Sequence, residues 1–146
     1  MTLAEPLTPF NGHWHREVLD LINGFRSEFG LRQLNTDSRL NAAAQTHAKD
    51  MAEQDYIANI SPDGGTPGER ATAAGYRWSR LFENVAAGQR TPTEAVEVWK
   101  ASPGHRRTIL DPEIRELGIG YAFLPQDADR VRASHYWALS LGGRTR

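Results

Sequence analysis

Apolar residues at helical spacing dominate the first third of the chain. They recur at intervals of three and four residues from Trp14 to Phe29, which predicts an amphipathic helix that ends at Gly30. A second helix is predicted behind Asp37 or Ser38, since either residue can cap its amino end. The apolar stripe of this second helix is rich in alanine: Leu40, Ala43, Ala44, Ala48 and Met51. Such small side chains indicate a close approach to a neighbouring element.

His47 lies on the apolar face of the second predicted helix. A single histidine among apolar residues is more often a hydrogen-bonded core residue than a ligand. We therefore interpret His47 as part of the core.

Capping signals predict three further, shorter helices. Thr66 caps a helix whose first residue is a proline and which Gly75 ends. Thr91 and Glu94 form the pattern of a capping box, again with proline in the first helical position. Ser102 and the proline behind it repeat this start signal, and we expect the Ser102 hydroxyl to be used as the cap.

The period of the pattern changes to two towards the end of the chain. The segment 81–87 is too short and too apolar for a surface helix, which favours a strand or an extended buried segment. After Pro112, apolar residues alternate with Gly118 and Gly120, which predicts a strand with one bare face against which another backbone packs. A polar turn at 125–130 and a strand at 131–141 would complete an antiparallel hairpin.

This order of elements predicts an α+β fold. Helices come mainly from the first two-thirds of the chain and the hairpin from the last third, so the helices would pack on a small antiparallel sheet. Residues 1–12 contain two prolines and no periodicity, and we expect them to form an extended arm. Residues 13–146 then form a single domain, which is long enough to bury a core without disulfides.

Composition excludes several classes of protein. The net charge of −1 argues against sequence-independent binding to nucleic acid. The chain has 0 cysteines, which excludes disulfides, thiolate zinc sites and cysteine nucleophiles. It has no apolar run long enough for a transmembrane segment. The amino-terminal residues lack the basic and apolar regions of a signal peptide, so the sequence predicts either a cytoplasmic protein or one whose leader is absent from this chain.

Two polar residues of the middle segment are candidates for function. Glu83 lies within an apolar segment, where a carboxylate is costly unless it is paired or lines a cavity. The alternative is an edge strand whose acid points to water. His105 falls in the first turn of the helix begun by Ser102, near its positive dipole end. We predict that Glu83 and His105 face each other across a polar cleft.

Several short motifs, taken together and in order, resemble the CAP superfamily, which comprises cysteine-rich secretory, antigen 5 and pathogenesis-related 1 proteins and is also called the SCP domain. They extend from about Glu17 to Gly142, and the compact cysteine-free form resembles the bacterial branch. The motifs are Asn23-Gly24-Phe25-Arg26, Ala44-Gln45, His47-Ala48, Met51-Ala52, Ser61-Pro62-Asp63-Gly64, Glu83-Asn84-Val85-Ala86, Trp99, Ser102-Pro103-Gly104-His105-Arg106, Leu117-Gly118-Ile119-Gly120 and Tyr136-Trp137.

The resemblance implies a three-layer α-β-α sandwich with a central cleft. In many members two histidines and two glutamates line this cleft and can bind a divalent metal. Glu83 matches the first glutamate and His105 the second histidine, whereas Asn59 and Ser102 stand in the other two positions. A carboxamide is a weak ligand, and zinc normally takes three or four protein ligands. We therefore predict a degenerate metal cleft that binds zinc poorly or not at all, and no cofactor.

Three functions are compatible with these residues. The first and favoured one is a non-enzymatic binding module whose cleft, around Asn59, Glu83, Ser102 and His105, takes a small polar ligand, peptide, glycan or lipid. The second is a hydrolase in which Glu83 is the base, His105 the acid or oxyanion stabiliser and Ser102 a nucleophile. The third is a purely structural Glu83–His105 pair. The resemblance further implies a secreted, periplasmic or cell-envelope location, and we expect a monomer.

Overall fold

The structure is a computed structural model that describes residues 12–124 and 135–144. The expected arm up to residue 11, the expected turn at 125–130 and the beginning of the returning strand at 131–134 lie outside the described residues. Five helices and four strands are described: α1 (Gly12–Glu28), β1 (Asn35–Thr36), α2 (Ser38–Gln54), α3 (Pro67–Ala73), β2 (Trp78–Ala87), α4 (Pro92–Ala101), α5 (Pro103–Ile109), β3 (Glu116–Phe123) and β4 (His135–Arg144).

The strands form one mixed sheet in the order β1-β3-β4-β2. The predicted hairpin is present, because β3 and β4 are antiparallel and Leu117 lies opposite Leu141. β2 pairs antiparallel with the other side of β4 and is therefore an edge strand. It begins three residues before the predicted segment, since Trp78 still pairs with Arg144. The short β1 is parallel to β3, so the sheet is mainly and not wholly antiparallel.

Helices cover both faces of this sheet, which confirms the three-layer α-β-α sandwich. On one face α2 packs on β3 and β4 through its alanine-rich stripe. On the other face α1, α4 and α5 enclose the larger core, which contains Trp99, Trp137 and Ile22. The predicted helix boundaries agree with their caps: Asp37 accepts hydrogen bonds from two backbone N–H groups of α2, and Gly30 has a φ of +69°.

The two glycines of β3 allow α2 to lie directly on the strand. A Cβ atom at Gly118 would be 2.1 Å from the carbonyl carbon of Leu40, and one at Gly120 would be 2.4 Å from the corresponding atom of Ala44. No side chain fits in this space, which confirms the close approach predicted from the alternation of glycine with apolar residues. The layer that contains α2 is therefore held unusually near the sheet.

Side chains of α2 also complete the edge of β3 beyond its short pairing with β1. Asn41 Oδ1 accepts a hydrogen bond from the backbone N–H of Ile119 at 2.9 Å. Gln45 accepts from the backbone N–H of Tyr121 and donates to its carbonyl, both at 2.9 Å. These amides satisfy backbone groups that another strand would otherwise have to pair. They also fix the rotation of α2, and with it the side chains that this helix presents to its neighbours.

Candidate functional site

Glu83 lies in the middle of the edge strand β2, and its side chain is directed towards α2 and α3. Side chains alternate along a strand. Val85 packs with the α2 core, whereas Phe82 and Ala86 pack with the core of α1 and α4. Glu83 has the same parity as Val85, so it belongs to the α2 layer. Its side chain is only 2% exposed, so the carboxylate needs partners within the protein.

Arg70 is the main partner of this carboxylate. Its Nη2 donates to both carboxylate oxygens of Glu83, at 3.0 Å each, and to the carbonyl oxygen of Asn59 at 2.6 Å. Its Nη1 donates to the carbonyl oxygen of Gly65 at 3.2 Å. The position of Arg70 follows from the start of α3, where Thr66 and Glu69 form a complete capping box. The guanidinium is therefore held at the point where α3, β2 and the loop 59–65 meet.

Asn59 and His47 complete the surroundings of Glu83. Asn59 Nδ2 donates to the backbone carbonyl of Glu83 at 2.9 Å and to its Oε1 at 3.2 Å. His47 Nε2 lies 3.5 Å from the same Oε1 and 2.7 Å from the carbonyl oxygen of Ala58. Because a carbonyl can only accept, Nε2 carries the proton of the neutral ring. The structure thus brings together Glu83 and Asn59, which the sequence indicates as site residues, with Arg70 and His47, which it does not.

Burial disfavours the protonated form of His47. It lowers the pKa of the imidazole below its usual value, and the nearby Glu83 carboxylate and the Ala58 carbonyl oppose this shift only in part. Arg70 adds to the lowering, whereas Asp50 acts against it. The interpretation of His47 as a hydrogen-bonded core residue is confirmed by its burial and its partners.

An open cleft of about 470 Å³ lies in front of this cluster. One wall is the α2 face that carries Thr46, Lys49, Asp50 and Glu53, the other wall is formed by Ser61, Asp63 and Gly65, and His47 and Arg70 also line the cleft. Asp63 shapes the second wall, since its carboxylate accepts hydrogen bonds from the Ser61 hydroxyl and the Gly65 backbone N–H. Because Arg70 is neutralised by Glu83, the remaining acidic side chains outnumber the single Lys49 among the lining residues.

His105 belongs to the other layer of the sandwich. It is on α5, whose contact with β2 is made by Asn84: Asn84 Nδ2 donates to the His105 carbonyl at 3.3 Å, and the Thr108 hydroxyl donates to Asn84 Oδ1 at 3.0 Å. Burial lowers the pKa of the His105 imidazole, and no charged group contributes to that shift. Within the described residues no ion pair or hydrogen bond joins Glu83 to His105, and the partners of Glu83 are those named above. The predicted face-to-face pair is thus replaced by two separate networks.

Ser102 is the amino-terminal cap of α5 by its backbone conformation, as predicted. Its hydroxyl, however, makes no capping hydrogen bond, so the expectation that capping uses this group is wrong. The same residue ends α4, because its backbone N–H donates to the Trp99 carbonyl. The tight junction between two helices, with proline directly behind it, fixes the backbone without help from the side chain.

The donor set around Glu83 does not suit a divalent metal. Both carboxylate oxygens are engaged by a guanidinium, Asn59 offers a neutral amide, and His47 uses Nε2 to donate to Ala58. Across the ranges 12–124 and 135–144, no three histidine, cysteine, aspartate or glutamate side chains are grouped closely enough to hold a metal ion.

The lowered pKa of His47 predicts how stability depends on pH. In the unfolded chain a histidine takes up a proton at about pH 6.5, whereas the folded protein resists protonation of His47. The unfolded state then binds more protons, so the free energy of unfolding should fall as the pH drops below that value, by at most about 1.4 kcal/mol per pH unit for this group. Urea denaturation at a series of pH values measures this slope.

The variant His47→Gln tests whether His47 causes that slope. It should be less stable than the parent at neutral pH, because contacts of the buried ring are lost, but its stability should change less with acidification. His105→Gln is the matched comparison, since burial lowers the pKa of His105 as well but in the other layer. An unchanged slope in His47→Gln would contradict the prediction.

Comparison with known proteins assigns this fold to one family. The model of the cysteine-rich secretory protein (CAP) family matches residues 19–140. The uncharacterized protein YkwD of Bacillus subtilis is 35% identical over 108 residues, which are 74% of this chain and 42% of that protein. The uncharacterized membrane protein YlbC of the same organism is 31% identical over 105 residues, which are 72% of this chain and 30% of YlbC. The chain thus spans less than half the length of either relative.

Solved structures agree with the sequence relatives. An extracellular protein of Bacillus anthracis that contains an SCP domain has a TM-score of 0.79 and 28% identity, covering 97% of this chain and 45% of that one. An outer surface protein of Borrelia burgdorferi has the same TM-score of 0.79 at 20% identity and covers 91% of this chain and 94% of that one, which shows the shared fold. No helix of the described residues has the length and apolar character needed to cross a membrane. The chain therefore belongs to the cysteine-rich secretory protein (CAP) family, as the motifs of its sequence indicate.

Proposed function

We propose that this protein is a non-enzymatic, extracytoplasmic binding module that holds a small polar ligand in the cleft between α2 and the loop 59–65. The observation that carries the proposal is that charged side chains on the cleft wall are exposed, whereas the acid in the interior is buried and paired. Lys49 and Glu53 on the wall are exposed, whereas Glu83 behind them is occupied by Arg70. The exposed groups are free to bind a ligand, and the buried acid maintains the shape of the cleft.

The lining of the cleft favours a polar peptide or glycan over a lipid. Among the residues that line the cleft, Asp50, Glu53 and Asp63 are acidic, and Lys49 is the only basic side chain that Glu83 does not neutralise. An excess of carboxylates attracts a ligand with an ammonium group, and an acyl chain would leave these charges desolvated and unpaired. We therefore propose a ligand of the class of lysine-containing peptides or amino sugars.

A hydrolase is less well supported by this geometry. A general base must be free to take a proton from the attacking group. Glu83 would first have to give up its hydrogen bonds to Arg70 and Asn59, and His105 is held in the other layer. The third hypothesis, a purely structural pair of Glu83 and His105, is not supported, because Glu83 is paired with Arg70 instead. The extracytoplasmic location is supported by the similarity to an extracellular protein of Bacillus anthracis.

A binding screen tests the proposal. Lysine-containing peptides, amino-sugar oligomers, neutral oligosaccharides and phospholipid vesicles are compared by thermal shift, and positive results are measured by isothermal titration calorimetry. We expect a positively charged peptide or amino sugar to bind, and Glu53→Gln to weaken its binding several-fold. Glu97→Gln on α4 removes an equivalent exposed charge outside the cleft and should have no effect. The proposal would be refuted if none of the amine-bearing probes bound, or if Glu53→Gln left their binding unchanged.

A further inference from the structure

Arg70 makes the connections that a structural metal ion makes in other proteins. Its guanidinium contacts both carboxylate oxygens of Glu83 on β2 and the carbonyl groups of Asn59 and Gly65, at the two ends of the loop 59–65. A bound metal similarly links ligands from separate segments and neutralises their charge. Arg70 is 12% exposed at its side chain, so the linkage lies almost wholly inside the protein.

We infer that the Arg70 guanidinium takes the place of a metal ion in this cleft. It holds the cleft together without metal and keeps divalent metals away from Glu83. A metal would have to displace the guanidinium from the carboxylate, since both oxygens are taken. It would also meet a fixed positive charge at contact distance, which repels it strongly in a buried site. The inference is independent of the ligand proposed above, because it concerns the interior of the cleft and is tested with metal alone.

The geometry also shows what is missing from a metal site. Asn59 Nδ2 is 3.2 Å and His47 Nε2 3.5 Å from the same Oε1 of Glu83. An imidazole in place of the Asn59 amide would give one carboxylate and two histidines around a common point, which is the minimum protein ligand set for zinc. His47 would then have to move its proton from Nε2 to Nδ1, where the Tyr56 hydroxyl oxygen is 3.5 Å away. The charge of the Arg70 guanidinium would then be the remaining obstacle to metal binding.

Zinc titration of four proteins tests the inference: the parent, Asn59→His, Arg70→Ala and the double variant Asn59→His/Arg70→Ala. Calorimetry with zinc chloride and thermal unfolding with zinc or a chelator supply the measurements. We expect the double variant to bind zinc at least about tenfold more tightly than Asn59→His alone, and to gain thermal stability on binding. The parent and Arg70→Ala should respond to neither zinc nor chelator.

Two controls separate the charge of Arg70 from its other contacts. In the Asn59→His background, Arg70→Lys keeps a cation near Glu83 and should still block zinc, whereas Arg107→Ala removes an exposed arginine of α5 and should not open the site. If the double variant folds only with zinc, that dependence supports the inference. Three outcomes would overturn it: equal zinc affinity of Asn59→His and the double variant, absence of zinc binding in both, or a double variant that folds neither with zinc nor with the chelator.

Discussion

Replacing Gly120 with alanine is expected to lower the free energy of unfolding by about 4 kcal/mol. The new Cβ would lie 2.4 Å from the carbonyl carbon and oxygen of Ala44 and from the backbone nitrogen of Gln45. These are main-chain atoms of a long helix, which cannot rotate away as the end of a side chain can. Displacing α2 would also stretch the two hydrogen bonds between the Gln45 side chain and the Tyr121 backbone, so the strain cannot be relieved locally.

Gly24→Ala is the matched control for this substitution. Gly24 lies on the exposed face of α1, and a Cβ there would have nothing within 4 Å. Alanine should raise the free energy of unfolding by about 0.5–1 kcal/mol, because it restricts the unfolded chain and favours the helix. Urea denaturation of both variants measures the two effects. A Gly120→Ala protein within about 1 kcal/mol of the parent would show that α2 can move off the sheet at little cost.

The fold could be predicted from the sequence because its determinants are local. Glycine at alternate positions of β3 predicted the close approach of a helix, and caps such as Asp37 and Thr66 predicted where helices begin. Arg26 was different. It is wholly buried and donates to the carbonyls of Ile109 and Asp111 at the end of α5. Nothing close to Arg26 in the sequence indicates that partner, which is more than 80 residues away along the chain.

The candidate site was predicted only in part, because the sequence does not determine which face of β2 each side chain occupies. The sequence identified Glu83 as a buried acid that needs a partner, and Asn59 as a neighbour. Which layer the side chain enters depends on the pairing of β2 with β4 and on which helices cover each face. A shift of one residue sends Asn84, and not Glu83, towards α5 and His105. Arg70 was missed because its pairing with Glu83 depends on the position of α3, which no local signal specifies.

The ion pair between Arg70 and Glu83 should show a large and asymmetric response to substitution. Arg70→Met leaves a carboxylate with 2% side-chain exposure without its counter-charge, and we expect it to cost about 3–5 kcal/mol of unfolding free energy. Glu83→Leu should cost less, because Arg70 lines the open cleft and its guanidinium keeps its hydrogen bonds to the carbonyl oxygens of Asn59 and Gly65. The double variant Arg70→Met/Glu83→Leu should recover about 2 kcal/mol or more relative to the sum of the single variants, since neither charge is then left buried alone.

A double-mutant cycle by urea denaturation at neutral pH measures this coupling. A surface ion pair serves as the comparison for the cost of each substitution. Arg80 forms an ion pair with Asp111 in which the arginine side chain is 40% exposed, so Arg80→Met should cost less than about 1 kcal/mol. Free energies that simply add in the Arg70–Glu83 cycle would mean that the carboxylate is stabilised by Asn59 and His47 without the guanidinium. In that case Arg70 would be a tether for the loop 59–65, held there by its hydrogen bonds to the carbonyls of Asn59 and Gly65.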